Sequence, residues 1–158
     1  MQKTNAMRVL DARKIPYSAL TYDPAIHSGT GVSQALGLPV KQVFKTLVVM
    51  RERGRLILVM VPSDHELDLK KMAAAAGEKR VRMASQREAE SKTGLLVGGI
   101  GALALLDKNF DVYLDASAQQ FEEILVNAGQ RGINLKVRVD DLVDVTRAKI
   151  ADVCSGGS

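Results

Sequence analysis

Lys45 is the residue whose setting most strongly indicates chemistry in this sequence. It interrupts residues 43–49, a β-branched and apolar run that otherwise predicts a buried strand. Lysine is almost never wholly buried without a partner, because moving an ammonium out of water costs several kcal/mol. Lys45 therefore lies at an exposed strand end, pairs with an internal carboxylate, or points into a cavity that receives an anion. Composition favours the strand end, and a bound phosphate or carboxylate is the functional alternative.

A glycine-rich segment, residues 93–101, is the second candidate. Gly98 and Gly99 directly follow a predicted short strand at 95–97. Paired glycines let the backbone approach a ligand and turn N–H groups toward it. Such groups could bind the oxyanion of an ester under attack. A barrel corner or bulge with no room for a side chain explains the same pattern and is its commoner cause.

Residues 127–132 form the third candidate, Asn-Ala-Gly-Gln-Arg-Gly. Asn127 offers a side-chain donor and Arg131 a cation for phosphate. The same residues are typical of a hairpin turn, so this signal is weak when taken alone.

Other site chemistries lack a matching pattern. His27 and His65 have no cysteine or carboxylate cluster at ligand spacing, so neither a metal nor another cofactor is expected. We interpret both histidines as surface residues rather than as parts of a Ser-His-Asp relay. Phosphate-binding, dinucleotide and nucleophile-elbow motifs do not occur. An enzyme of this sequence would therefore depend on positioning and polarisation, or on a group of its substrate.

Hydrophobic periodicity predicts the elements that position these residues. Helices are predicted at 5–14, 32–36, 67–76, 85–92, 119–123 and 140–145. Strands are predicted at 17–22, 43–50, 56–61, 81–83, 95–97, 112–114, 124–127 and 135–139. Residues 29–31 are predicted to be a flexible loop. The predicted N-caps are Asn5, Ser63 or Asp64, and Ser85, the last in a capping box with Glu88. Strands paired mostly as hairpins, with helices scattered between them, indicate a mixed α+β fold.

The 158 residues predict a single domain, 1–158, ordered over about 4–152 with a polar tail at 153–158. Cys154, the single cysteine, falls in that tail and cannot form an internal disulfide, which suits a reducing compartment. No segment approaches the ~20 apolar residues of a membrane span, and no targeting signal is evident. A cytoplasmic protein without a membrane partner is expected.

Charge permits a polyanionic partner without requiring one. The net charge is +4, and six cations fall within residues 70–87 while acids gather at 140–144. A basic face of this kind attracts phosphates through charge and counterion release. A solvated helix end and strand rim account equally well for the pattern.

Together, in order and spacing, these segments resemble the YbaK/EbsC family of aminoacyl-tRNA editing domains. The resemblance runs from about Thr4 to about Asp152, and its matching segments are 20–23, 36–37, 43–47, 67–71, 91–94, 97–100 and 127–132. It implies a mixed, barrel-like β-sheet flanked by helices. It also implies deacylation of mischarged tRNA, usually tRNA(Pro), with cysteine as the amino acid that similar stand-alone members remove. The implied partners are the acceptor end of aminoacyl-tRNA and prolyl-tRNA synthetase.

The resemblance also implies roles for single residues. Lys45 is expected to engage the phosphate of the terminal adenosine, and Gly98 and Gly99 to line the aminoacyl end. The expected substrate-binding residues are Tyr22, Thr46, Ile100, Asn127, Gly129 and Arg131. In cysteine-specific members the thiol of the substrate is thought to attack its own carbonyl, so the protein supplies geometry and oxyanion stabilisation.

Two departures from the family pattern bear on specificity. An apolar run at 100–106 stands where the family often has Ile-Ser-Pro and polar residues, and Asn127 stands where many cysteine-editing members have serine. Alanine or another small amino acid is therefore an alternative to cysteine as the amino acid removed.

Two other functions also fit these residues, since a fold does not fix a function. One is a non-catalytic tRNA- or nucleotide-binding module, and the second is a structural partner that docks on a synthetase and lends it editing only in the complex. Three Phe and three Tyr are few for the stacking array of a general single-strand binder, which weakens the binding-module interpretation.

Overall fold

A computed structural model describes residues 2–26 and 28–155. The helices of this part are α1 (Asn5–Ala12), α2 (Gly29–Leu36), α3 (Leu69–Ala76), α4 (Gln86–Thr93) and α5 (Val139–Thr146). The strands are β1 (Tyr17–Thr21), β2 (Phe44–Met50), β3 (Ile57–Pro62), β4 (Arg82–Met83), β5 (Asp111–Asp115), β6 (Glu123–Asn127), β7 (Ile133–Arg138) and β8 (Lys149–Ala151). His27 and residues 156–158 of the predicted tail lie outside the described residues.

The strands form two sheets. One is antiparallel with the order β1-β7-β6, and the other is mixed with the order β4-β2-β3-β5-β8. In the mixed sheet β5 runs parallel to both β3 and β8, while β2 runs antiparallel to β3 and β4. In the described part of the chain, a parallel bridge between Val43 and Leu125 links the two sheets.

The predicted α+β class is confirmed, and the predicted barrel-like form needs correction. Closing a sheet requires its two edge strands to pair with each other. The edges of the mixed sheet are β4, with two residues, and β8, with three, and each has a single strand neighbour in the described residues. The result is two open sheets that meet beside Val43.

Strand alternation divides the apolar side chains between two clusters. Leu58 and Met60 of β3 face the main core, which lies between the sheets and α1. Ile57 and Val59 face the opposite way and pack against a second cluster that contains Met72 of α3. Because all four β3 side chains are fully buried, β3 is the rigid centre of the mixed sheet, and β2 is held against it by six register pairs.

Helix ends follow ordinary capping chemistry, with two caps displaced from the predicted positions. The capping box of Ser85 and Glu88 is confirmed. Thr4, rather than Asn5, caps α1 through the Met7 N–H. Asp68, rather than Ser63 or Asp64, caps α3 by accepting from two backbone N–H groups. Several residues near each helix start can cap, and only the backbone trajectory decides which one does.

Three further predictions were wrong. Residues 29–31 begin α2 instead of forming a loop, because Ser28 caps that helix. Residues 95–97 lie in a turn instead of a strand. The helical piece predicted at 119–123 is a 3-10 turn at Ala116–Gln120, followed by β6.

The C-terminal segment is more ordered than its polar composition suggests. Val153 and Cys154, predicted to begin the tail, are buried in the second cluster. The buried carboxylate of Asp115 accepts a hydrogen bond from the Val153 N–H at 3.1 Å. The preceding strand, β8, was not predicted, because three residues are too few to show an alternating pattern.

No helix in the described part of the chain is long and apolar enough to cross a membrane. Within residues 2–26 and 28–155, no group of three or more His, Cys, Asp or Glu side chains is placed to hold a metal ion.

Candidate active site

A cavity of about 370 Å³ lies along the open edge of β2, beside the junction of the two sheets. β4 pairs only with Val49 and Met50, and β6 meets the other end of β2 through the Val43–Leu125 bridge, so residues 45–48 pair with no strand on that side in the described structure. Six predicted site residues line the cavity: Tyr22, Lys45, Thr46, Gly98, Ile100 and Asn127. The cavity therefore brings together residues that are about 100 positions apart in the sequence.

Lys45 is a half-buried cation at this cavity. No acidic side chain in the described residues forms a salt bridge with it. The sequence left three arrangements open for Lys45. The structure shows the third, in which Lys45 lies at a cavity and has no carboxylate partner in the described residues. A partly desolvated ammonium with no counter-ion attracts an anionic ligand more strongly than a surface lysine does.

The next residue along β2 is Thr46, whose hydroxyl oxygen is buried and has no hydrogen-bond partner in the described structure. Leaving such a group unsatisfied costs about 1–3 kcal/mol. Alternation places this side chain on the opposite face of β2 from Lys45. The cavity thus extends around the free strand edge and is reached from both faces.

The backbone of Thr46 also faces the cavity. The Val48 carbonyl accepts from the Ala84 N–H at 3.0 Å, which identifies the outer edge of β2. Because backbone polar groups of alternate residues point to the same edge, the N–H and C=O of Thr46 also point outward. No strand lies opposite them in the described residues, so they are available to a ligand.

The glycine pair forms the opposite wall, but its two members differ. Gly98 lines the cavity with φ of 91°, a conformation that favours glycine. Gly99 does not line it, and its N–H donates to the Leu96 carbonyl at 2.7 Å. The Gly99 N–H is therefore engaged within the turn, and the place of Gly99 at the aminoacyl end stays a prediction. The N–H groups of Gly98 and Ile100 have no partner among the described residues and are the available donors.

Gly99 instead allows two turns to touch. A Cβ at this position would lie 2.9 Å from the Arg131 nitrogen and 3.0 Å from the backbone of Gln130. The Arg131 side chain strengthens the contact, because its Nε donates to the Val97 carbonyl at 2.8 Å. We define residues 96–101 as the glycine turn and residues 127–132 as the hairpin turn.

Asn127 joins these turns with both ends of its amide. Nδ2 donates to the Gly98 carbonyl at 3.0 Å, and Oδ1 accepts from the Gly129 N–H at 2.7 Å. Neither Gly129 nor Arg131 lines the cavity. The substrate contacts of these two residues stay a prediction, and in the structure both belong to the hairpin turn, which is hydrogen-bonded to the glycine turn.

Tyr22 and Asn134 complete the polar lining. The Tyr22 hydroxyl donates to Asn134 Oδ1 at 3.4 Å. Burial raises the pKa of the Tyr22 hydroxyl, against smaller opposing contributions from the Gly132 backbone and the Asn127 side chain, so the phenol stays neutral. Asn134 was not predicted. It is a buried polar residue between Ile133 and Leu135, and the reasoning applied to Lys45 would have found it.

Neither His65 nor Cys154 belongs to the cavity lining. His65 is hydrogen-bonded to Asp64 at 2.7 Å and is not among the lining residues. Cys154 lies in the second cluster, where burial and then the nearby Asp115 carboxylate raise the pKa of its thiol to about 12. Protein hydroxyls do line the cavity, but no histidine of the described residues lines it with them.

Comparison with known proteins gives consistent matches. A family model described as the aminoacyl-tRNA editing domain matches residues 23–145. EbsC of Enterococcus faecalis is 34% identical over 154 residues, covering 96% of this chain and 93% of its own; its name proposes a Cys-tRNA(Pro)/Cys-tRNA(Cys) deacylase. A proline–tRNA ligase of Sulfurihydrogenibium sp. is 29% identical over 140 residues, and the match covers 84% of this chain and 24% of the ligase.

Two solved structures share the fold over nearly the whole chain. The structure of a hypothetical protein superposes with a TM-score of 0.88 at 26% identity, covering 96% of this chain and 99% of its own. Another, described as a proposed trans-editing enzyme for prolyl tRNA synthetase, superposes with a TM-score of 0.79 at 25% identity, covering 99% and 100% of the two chains.

Proposed function

Because this chain belongs to the aminoacyl-tRNA editing domain family, we propose that it is a trans-editing deacylase. Its substrate in this proposal is tRNA(Pro) that carries the wrong small amino acid, with cysteine as the first choice and alanine as the alternative. It acts in the cytoplasm on the acceptor end of the tRNA, beside prolyl-tRNA synthetase. The observation that carries the proposal is the pairing of an uncompensated cation, Lys45, with an unsatisfied buried hydroxyl, that of Thr46, at one cavity.

The cavity suits a small polar ligand with an anionic end. Its volume, about 370 Å³, is at the low end of the ~300–1,000 Å³ typical of ligand sites. In our proposal Lys45 binds the phosphate of the terminal adenosine. Thr46 and Asn134 offer hydrogen-bonding groups to the ribose, and Met83 and Val97 form an apolar rim. A single bound nucleotide ester would thus satisfy both the charge and the orphaned hydroxyl.

Ester cleavage at this site relies on the free amides of the glycine turn. The N–H groups of Gly98 and Ile100 stabilise the negative charge that develops on the carbonyl oxygen. The thiol of Cys154 is excluded as nucleophile, since it is buried in the second cluster, does not line the cavity and is protonated at neutral pH. The attacking group then comes from the substrate or from water.

With cysteine as the amino acid, the reaction needs no protein nucleophile. The substrate sulfur forms a bond to its own carbonyl carbon, the bond from that carbon to the ribose oxygen breaks, and the thiol proton passes to the ribose oxygen. The protein contributes orientation, which is worth several orders of magnitude in a reaction within one bound molecule. With alanine, water must attack instead, and the same amides stabilise the oxyanion.

A panel of tRNAs tests this proposal. Purified protein is incubated with tRNA charged separately with cysteine, alanine, serine or proline, and the released amino acid is measured. We expect release of cysteine, and a fall in kcat/KM of about 10- to 100-fold for Lys45→Ala, the loss of one charge-assisted contact. Lys41→Ala is the matched control, because Lys41 is exposed and outside the cavity.

The remaining outcomes have definite meanings. Release of alanine alone would reassign the amino acid and keep the site. Release of none of the four, with tRNA binding intact, would contradict the deacylase proposal and favour a binding module.

A further inference from the structure

A second cavity, of about 380 Å³, is strongly basic and plays no part in the proposed reaction. Five cationic residues line it: Arg13, Arg55, Lys108, Arg147 and Lys149. Asp111 is the one acidic residue among the described lining residues. We call it the basic cavity.

The charge of the basic cavity is high in relation to the whole protein. Five cations against one carboxylate leave an excess of four, which equals the net charge of the entire chain, +4. The Asp111 carboxylate is also engaged, by Arg51 at 2.6 Å and by Arg55 at 3.5 Å. The remaining surface is therefore close to neutral on balance, and the basic cavity is a concentrated source of positive potential.

Helix dipoles do not cancel this charge. Arg13 follows the C-terminus of α1 and Arg147 follows that of α5, where each helix contributes at most about half a negative charge. Arg147 also occupies a left-handed conformation, with φ of 57°, which favours glycine or asparagine at such a helix end. Arg147 thus places a cation at a position where the backbone favours other residues.

The location distinguishes the basic cavity from the candidate active site. Ser63, just after β3, lines the active-site cavity, whereas Ile57 at the start of β3 pairs with Asp111 of the basic cavity. Six residues of strand separate the two ends by about 20 Å. One ligand that contacts both cavities must therefore span about 20 Å, which a macromolecule such as RNA does.

We propose that the basic cavity binds backbone phosphates of the tRNA body while the acceptor end occupies the active-site cavity. This inference rests on the proposed function for the identity of the RNA. Phosphodiester groups carry the charge that the basic cavity attracts, because its five cations are exposed. These side chains form no array that could recognise individual bases. Contacts of this kind bind tRNAs regardless of sequence and leave identity to the acceptor end or to a partner synthetase.

The test compares two triple variants with equal loss of charge. The cavity variant carries Arg13→Gln, Lys108→Gln and Lys149→Gln, and the control carries Lys41→Gln, Lys92→Gln and Arg138→Gln, three exposed cations outside both cavities. Binding of uncharged tRNA and of the 3′-terminal trinucleotide CCA is measured over a range of salt concentrations. Thermal unfolding checks that both variants fold.

For the cavity variant we expect tRNA affinity to fall about tenfold at low salt, with unchanged CCA affinity. The slope of log K against log salt should decrease by roughly 2–3, about 0.9 for each lost phosphate contact. The control should keep most of its slope. Equal losses in both variants would overturn the inference.

This binding experiment is independent of deacylation. If the protein releases amino acids but the cavity variant keeps the full salt slope, the inference is wrong and the proposed function stands. If the slope decreases and no amino acid is released from any charged tRNA, the basic cavity is supported and the proposed function is wrong.

Discussion

Asn127 donates from its Nδ2 to the carbonyl oxygen of Gly98 at 3.0 Å, and so fixes the wall of the active-site cavity from a turn 29 residues away. The same side chain accepts from the Gly129 N–H at 2.7 Å. The amide thus spans both turns, which a shorter hydroxyl side chain cannot do without a shift of the backbone. This contact explains how a chain with asparagine at this position holds its glycine turn.

Replacing Asn127 tests whether its two hydrogen bonds position the glycine turn. In Asn127→Ser one of the two hydrogen bonds is lost, and the Gly98 N–H moves from the position of the oxyanion. We expect kcat to fall about tenfold with a smaller change in KM, because misplacement of a donor affects the transition state most. Asn127→Asp keeps the acceptor for the Gly129 N–H but places a second acceptor against the Gly98 carbonyl. The fall in kcat should therefore be larger in Asn127→Asp than in Asn127→Ser. Equal activity of all three proteins would contradict a positioning role.

Thr46→Val should separate stability from activity. The valine keeps the shape and removes a buried hydroxyl that has no partner in the described structure, so the free energy of unfolding should rise by about 1 kcal/mol. Activity should fall at least several-fold, if the hydroxyl binds substrate. Urea unfolding and steady-state deacylation measure the two effects.

Thr93→Val is the matched control for that prediction. The Thr93 hydroxyl is also buried, but it donates to the Ala89 carbonyl at 2.7 Å and accepts from the Leu95 N–H at 3.1 Å. Its loss leaves those groups unpaired, so this variant should be destabilised by about 1–2 kcal/mol. A destabilised Thr46→Val would mean that its hydroxyl has a partner, such as a bound water.

The glycines offer a third test. In Gly99→Ala the new Cβ would meet backbone atoms of residues 130 and 131 at 2.9–3.0 Å, and backbone cannot yield as a flexible side chain does. The two turns must separate, and we expect activity to fall by more than tenfold. Gly94→Ala has open space around its Cβ and φ of 75°, so it should cost about 1 kcal/mol of stability with activity kept. Loss of activity in both variants alike would point to a general sensitivity of residues 93–101.

The prediction from sequence succeeded where one residue contradicts its surroundings. Lys45 could be located because a cation in an apolar strand needs an explanation, and Asn134 carries the same signal more weakly. Gly98 and Gly99 could not be told apart, since their difference depends on φ and on a hairpin turn about 30 residues away. The ordered conformation of Val153 could not be predicted for a similar reason. The carboxylate that accepts from its N–H, that of Asp115, is distant in sequence.

Cys154 provides the last prediction, on pH and on the nucleophile. Its folded-state pKa is raised to about 12 from an ordinary value near 9, so the folded protein holds a proton that the unfolded chain releases. The stability contributed by the neutral thiol is therefore complete below about pH 9 and is lost as pH rises toward 12. Wild type should lose stability over this range more steeply than Cys154→Ala, as measured by urea unfolding at several pH values. The native thiol should also resist alkylation at pH 8, and Cys154→Ala should deacylate at the wild-type rate. Rapid alkylation of the folded protein, or an inactive but folded Cys154→Ala, would make the thiol a candidate nucleophile again and remove the reason for assigning the attack to the substrate.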